Sequence, residues 1–213
     1  MVPLEHRFTR ARPRQEFPRI RRSRNRQGYS PGGKAVVPDD YDYKEYLGVL
    51  GRLLSNQNLI DEPKSIGELM VIRKSRDGEI QYWDEDRKRI NLCNGSAVVT
   101  IQEYAEVQRT NRLKVTEHHY HFQPKTDGLH EYRIDLETDG DLHANSDQRL
   151  WGKNGIKEHM YFPHDTGLDI RGFNTLFTLI VALLYLRSER YPLKRGHEAK
   201  YNQALERYRR RLA

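Results

Sequence analysis

One cysteine, Cys93, stands in the whole chain, which excludes an internal disulfide framework and any zinc site built on several cysteines. Long hydrophobic runs are missing as well. The most apolar stretch, Leu176 to Leu186, covers 11 residues, whereas a bilayer crossing takes about 20. It reads as a buried helix, and no membrane partner is expected. The first 20 residues have no apolar core, and their basic residues do not give way to a hydrophobic run, so export is not expected either. No Walker loop, G-x-S-x-G elbow or dinucleotide-binding glycine pattern occurs. Gly32-Gly33-Lys34 is only a linker, and Cys93 has no histidine close by in sequence to activate it. These absences fit a reducing, cytoplasmic setting and call for no cofactor.

Apolar residues are also scarce. They make up 36% of 213 residues against 31% charged, and the mean hydropathy is −0.92. A chain of this length holds one substantial domain with solvated tails. The formal charge is +7, which suits an acidic partner, because Lys and Arg that neutralise phosphates release condensed counterions. Nucleic acid is the leading partner on charge alone. Nine arginines, Arg7, Arg10, Arg12, Arg14, Arg19, Arg21, Arg22, Arg24 and Arg26, fall between His6 and Lys34 against Glu16 alone, with prolines at 13, 18 and 31. Those prolines prevent a continuous helix, so residues 1–37 are expected to form a disordered basic arm. Such an arm serves either as a solubilising leader or as a phosphate-contacting segment. Arginine favours the second, because it offers bidentate phosphate contacts, and it points to RNA ahead of DNA.

The remainder is expected to be α+β: a mostly antiparallel β-meander of five or six strands packed against a buried apolar helix. Residues 38–192 make the domain and 193–213 a basic C-terminal helix. Pro38-Asp39-Asp40 looks like a helix start, and Tyr43, Tyr46, Leu47, Leu50, Leu53 and Leu54 recur at helical spacing over 40–55. From Gly67 the period changes to two, with Asp77-Gly78 as a hairpin turn, a charged connection at 84–89, and strands at 96–107, 112–122 and 130–137. Residues 139–156 are polar and glycine-containing and read as a long loop. A short strand at 159–162 precedes the apolar helix at about 172–190. The last helix, 198–212, ends in Arg207, Arg209, Arg210 and Arg211. These cations either complement the helix dipole or form a second phosphate-binding patch.

Seven of the nine histidines lie between His118 and His164. Around the turn at Asp127-Gly128, strand alternation separates two faces. Tyr120, Phe122, Tyr132, Ile134 and Leu136 form a core-facing set. Glu117, His119, His121, Glu131, Arg133 and Asp135 form the other. With Phe122 opposite His130, the facing pairs are Glu117 with Asp135, His119 with Arg133 and His121 with Glu131. Any register of the same parity keeps both sets intact. An exposed strand face is polar for ordinary reasons, but Glu117 opposite Asp135 is unfavourable without a cation or proton between them. His118 and His130 fall on or near the packed side. Trp151 and Tyr161 are available to shield such a site or to stack on a base.

A metal held by His143, Asp147, His159 and His164 lacks any H-E-x-x-H or Cys/His spacing, so no metal is assigned. His164-Asp165 is a lone dipeptide without the helical ligands of HD phosphohydrolases. Metal-independent RNA cleavage needs a base, an acid and a cation beside the phosphate, and His119, His121, Arg133, Asp135, His143 and His164 supply all three.

The order of elements resembles the TumE-type toxin family of prokaryotic toxin-antitoxin systems. The resemblance rests on His118-His119-Tyr120-His121-Phe122, then Tyr132-Arg133-Ile134-Asp135, then Phe162-Pro163-His164, and spans residues 67–186. The family's Asn-x-Pro-His-His run is replaced by Leu142-His143-Ala144-Asn145, and its second histidine after the Pro-His element by Asp165. The resemblance implies a subunit of a toxin-antitoxin or defence system with an antitoxin or other complex partner. Two functions follow as expectations: a nucleic-acid-binding protein using the basic tails and the His/Arg/Asp face, or a toxin-like ribonuclease working by acid-base catalysis at that face.

Overall fold

The computed structural model describes residues 40–63, 65–74, 78–83, 89–108, 110–137 and 139–213. The nine arginines of the N-terminal run, Asp77 of the expected turn and residues 84–88 of the charged connection lie outside them.

The fold is α+β. The main antiparallel path runs β2 (Met70–Lys74), β3 (Gly78–Trp83), β5 (Ala97–Gln108), β6 (Arg112–Pro124), β7 (Tyr132–Leu136), β8 (Leu142–Ser146) and β9 (His159–Tyr161). Two short strands join it: β1 (Tyr41–Asp42) pairs with β6, and β4 (Arg89–Leu92) pairs with β5. Among the described residues the α-helices are α1 (Tyr43–Leu54), α2 (Ile66–Leu69), α3 (Thr175–Ser188) and α4 (Glu198–Leu212).

The first helix starts three residues later than its charged opening predicts. Asp42, not Asp40, is the N-cap, its carboxylate accepting from the Glu45 amide at 2.8 Å. Asn174 plays the same part for α3 by accepting from the Phe177 amide at 3.1 Å. Apolar side chains surround α3, which is the composition of a helix covered on all sides, and Thr175 to Leu183 and Tyr185 are buried. Its aromatic residues meet the inner sheet face, with Tyr185 5.4 Å from Phe122 and Phe177 5.5 Å from Tyr41 between ring centroids. No helix among the described residues is long and apolar enough to cross a membrane.

Two local expectations differ from the structure. The segment 139–156 is not one loop. Glu137 N donates to Asp141 O and Gly140 takes φ +89°, closing a tight turn into β8, which then lies between β7 and β9. Leu-His-Ala-Asn-Ser has few residues that favour strands, so its pairing comes from its two neighbours. The register of β6 and β7 also slips by two from the predicted pairs: Phe122 faces Tyr132, His121 faces Arg133 and His119 faces Asp135. The connection is longer because Leu129 is buried and the His130 amide donates to the Tyr185 hydroxyl at 2.9 Å, tying this segment to α3 instead of the ladder. Parity survives a slip of two, so both faces keep their members. Helix α4 packs on the domain along one face. Tyr201, Leu205, Arg209 and Leu212 form its buried stripe.

Arg209 is 1% exposed. Its guanidinium donates to the Asp169 carboxylate (3.1 Å) and to the carbonyls of Asp169 (2.8 Å) and Arg171 (3.0 Å), and it lies over the Phe177 ring. It is therefore withdrawn from the expected phosphate-binding set, whereas Arg207, Arg210 and Arg211 are exposed.

Candidate functional site

Strand register lines up the polar groups in two rows across the outer sheet face. One row is His119, Asp135, His143 and Tyr161 on β6 to β9, and the next is His121, Arg133, Asn145 and His159. Of the residues expected at the site, His119, His121, Arg133, Asp135 and His143 come together. His164 does not. It is exposed on the loop after β9, where its carbonyl accepts from Arg195 at 2.7 Å. Among the described residues no hydrogen bond, ion pair or ring contact joins it to the rows.

Asp135 is the centre. It is fully buried, and a buried carboxylate requires partners. One oxygen faces His119 Nδ1 at 3.0 Å. The other accepts from Arg133 Nε at 2.6 Å and Asn145 Nδ2 at 2.7 Å, with His143 Nε2 at 3.7 Å. Beyond these, His119 Nε2 lies 3.8 Å from Glu117, and His143 Nδ1 lies 3.2 Å from Asp141. The His143 Nδ1 contact is close enough for ion pairing but is not aligned as a hydrogen bond, so that buried nitrogen has no hydrogen-bond partner. The first row thus alternates Glu117, His119, Asp135, His143 and Asp141. In the tautomer that donates its Nδ1–H to Asp135, His119 turns Nε2, 3.8 Å from Glu117, outward as the acceptor nitrogen. His121 stands at the margin, 3.3 Å from Glu131. His159, exposed on β9, packs edge-on at 5.5 Å from His143; only the strand pairing of β8 and β9 reveals that neighbourhood.

A second Asp–His pair escaped the sequence reading. His130 is not packed away: it is partly exposed, with Nδ1 3.0 Å from the buried Asp147 carboxylate. Burial raises the Asp147 pKa, but hydrogen bonds from the Arg149 side chain and backbone and from His130 outweigh it and hold the carboxyl far below its ordinary range. Asp147-x-Arg149 was the only signal in the sequence, and it looked like loop polarity. His118, by contrast, is buried on the core face as expected, stacked on Tyr120 at 4.3 Å with Nδ1 3.3 Å from the Ile134 carbonyl. Burial lowers its pKa to about 4.

Glu103 is a further buried carboxylate, on the core side of β5. It accepts from the Thr175 amide (2.8 Å) and hydroxyl (3.0 Å) and from the Tyr120 hydroxyl. A carboxylate there complements the positive end of α3, so its role is to seat that helix on the sheet. Among the described residues, no group of three or more His, Cys, Asp or Glu side chains is arranged to hold a metal ion.

No protein-family model, curated protein or solved structure matches this chain.

Proposed function

We propose that the protein binds nucleic acid, RNA ahead of DNA, as a subunit of a prokaryotic toxin-antitoxin or defence system. Charge carries the first part of this reading: a net +7, with nine arginines between residues 7 and 26 and exposed Arg207, Arg210 and Arg211 toward the C-terminal end of α4. The sheet face is a poorer phosphate binder, because Glu117, Asp135, Glu137 and Asp141 outnumber Arg133 there. The likeness of residues 67–186 to TumE-type toxins supports the second part. In the test, full-length protein and a variant lacking residues 1–34 are titrated with labelled RNA over a salt series. Each lost phosphate contact lowers the salt slope by roughly one, so the truncation is expected to reduce both affinity and slope. Equal slopes would refute this reading.

One observation favours a second reading, ribonuclease activity: the orientation of His119 by Asp135. His119 and His121 are two residues apart on one strand face, about 7 Å. In this reading His119 Nε2 takes the proton of the ribose 2′-hydroxyl, and the resulting oxygen attacks phosphorus. The bond from phosphorus to the 5′-oxygen breaks, and that oxygen receives a proton from His121 while Arg133 offsets the phosphorane charge. Asp135→Asn and His121→Ala are each expected to slow cleavage of total RNA by about 100-fold or more, with chelator having no effect. Absence of any wild-type cleavage overturns the ribonuclease reading and leaves the binding reading standing.

A further inference from the structure

Trp151 and Tyr161 are large hydrophobic side chains left exposed, at 39% and 47%. Both belong to the β8–β9 hairpin. Its connection is shaped before any ligand arrives. Gly152 N donates to Ile156 O at 2.9 Å, Lys153 N to Leu150 O at 3.0 Å, and Ile156 N to Lys153 O at 3.0 Å. Ile156 is buried and pins this turn to the core. The Trp151 indole N–H reaches the Ser146 carbonyl at 3.4 Å, which sets the ring's orientation. Cations alternate with the aromatic residue in sequence: Arg149, Trp151, Lys153, then Lys157, and all three cations are exposed. The Lys153 ammonium rests on the Arg149 carbonyl at 3.0 Å. Tyr161 stands at the β9 end of the Asp135 row, its ring 6.3 Å from that of His143.

We propose that this hairpin is a subsite for single-stranded nucleic acid, with unpaired bases stacking on Trp151 and Tyr161 and the phosphates between them meeting Arg149, Lys153 and Lys157. The inference rests on the nucleic-acid reading above and adds to it a preference for unpaired strands. Trp151 is anchored at Ser146 and Tyr161 faces His143. Those points lie three residues apart along β8, about 10 Å, and in this subsite each ring takes its own base of one strand. Stacking is open to every base that exposes its flat face. A duplex hides those faces inside its own stack and offers this hairpin only phosphates. Glu158, the Lys157–Asp165 ion pair (2.7 Å) and the pairing of Arg149 with Asp147 (2.6 Å) offset most of the local positive charge, which leaves the rings as the subsite's chief attraction.

Full-length protein, Trp151→Ala, Tyr161→Ala and Tyr161→Phe are titrated with a labelled unpaired RNA and with a blunt-ended RNA duplex of equal length. Circular dichroism checks that each variant is folded. Both alanine variants are expected to lose about five-fold or more in affinity for the unpaired RNA, with Tyr161→Phe near wild type and the duplex bound more weakly by wild type and unaffected by the changes. Equal wild-type affinity for the two RNAs, or no loss in either alanine variant, overturns the single-strand subsite while leaving arginine-driven binding intact. No binding of either RNA by wild type at low salt overturns both.

Discussion

Acidification from pH 7.5 to 5 should weaken the fold through one side chain, His118. Its ring is buried against Tyr120, and burial lowers its pKa from 6.5 to about 4, partly offset by the Ile134 carbonyl and by the charge of Asp135. The unfolded chain takes up a proton near pH 6.5, and the folded chain resists until about pH 4. Stability is therefore complete above 6.5 and falls as pH drops toward 4, because the unfolded state binds more protons in that window. A gap of this size corresponds to about 3 kcal/mol in full, with about 2 kcal/mol gone by pH 5. The carboxyls of Asp147 and Asp169, whose pKa values are lowered, act only at lower pH, which leaves the upper window to histidines. The assay is urea unfolding at pH 7.5, 6 and 5 for wild type and His118→Phe, a change that keeps a ring against Tyr120 and removes the titration. Wild type should lose about 2 kcal/mol more than the variant over this range. Parallel losses, or a His118 ring titrating near pH 6.5 in the folded protein by NMR, would refute the reasoning.

Arg209→Ala should cost about 3–5 kcal/mol in chemical denaturation, since it leaves the Asp169 and Arg171 carbonyls without their donor, takes one of two guanidinium partners from the Asp169 carboxylate and removes the buried side chain over Phe177. Arg207→Ala, at an exposed site on the same helix, should stay within about 0.5 kcal/mol. Gly172→Ala should cost at least about 2 kcal/mol by the same measurement: φ is +59°, and an added Cβ would run into the buried Tyr41 ring. Asp169 holds its pKa low because the Arg171 and Arg209 guanidinium groups outweigh burial. Its contribution is present above the ordinary 3.8 and lost as pH falls below it, so Asp169→Asn should lower stability at pH 7 and flatten the acid limb of the unfolding curve below pH 4.

Helix α4 was legible to the residue at both ends, because an amphipathic period bounded by Pro192 and the chain's last basic turn leaves little choice. The apolar run of α3 was equally plain, although its N-cap Asn174 was not. β8 was invisible: Leu142–Ser146 has weak strand propensity and pairs only because β7 and β9 present free edges to it. Arg209 looked like its neighbours Arg210 and Arg211 in sequence. Its position on the stripe of Tyr201, Leu205 and Leu212 held the clue to its burial. The site itself was partly legible. Five of the six expected residues share adjoining rows of one face, with His121 at the margin, while His164, expected there as a further acid-base group, stands apart.

Alternation along a strand is a local property with a period of two, so the sequence alone determined that His119, His121, Arg133 and Asp135 share a face opposite Tyr120, Phe122, Tyr132 and Ile134. Which of them touch is not local. The tie from His130 to Tyr185 and the burial of Leu129 lengthen the connection and shift the ladder by two, and pairing with β8 then brings Asn145 and His143 to the far side of Asp135. Only tertiary structure turned Asp135 from one polar residue among several into the buried hydrogen-bonding centre that orients the others, because that role depends on partners drawn from three strands.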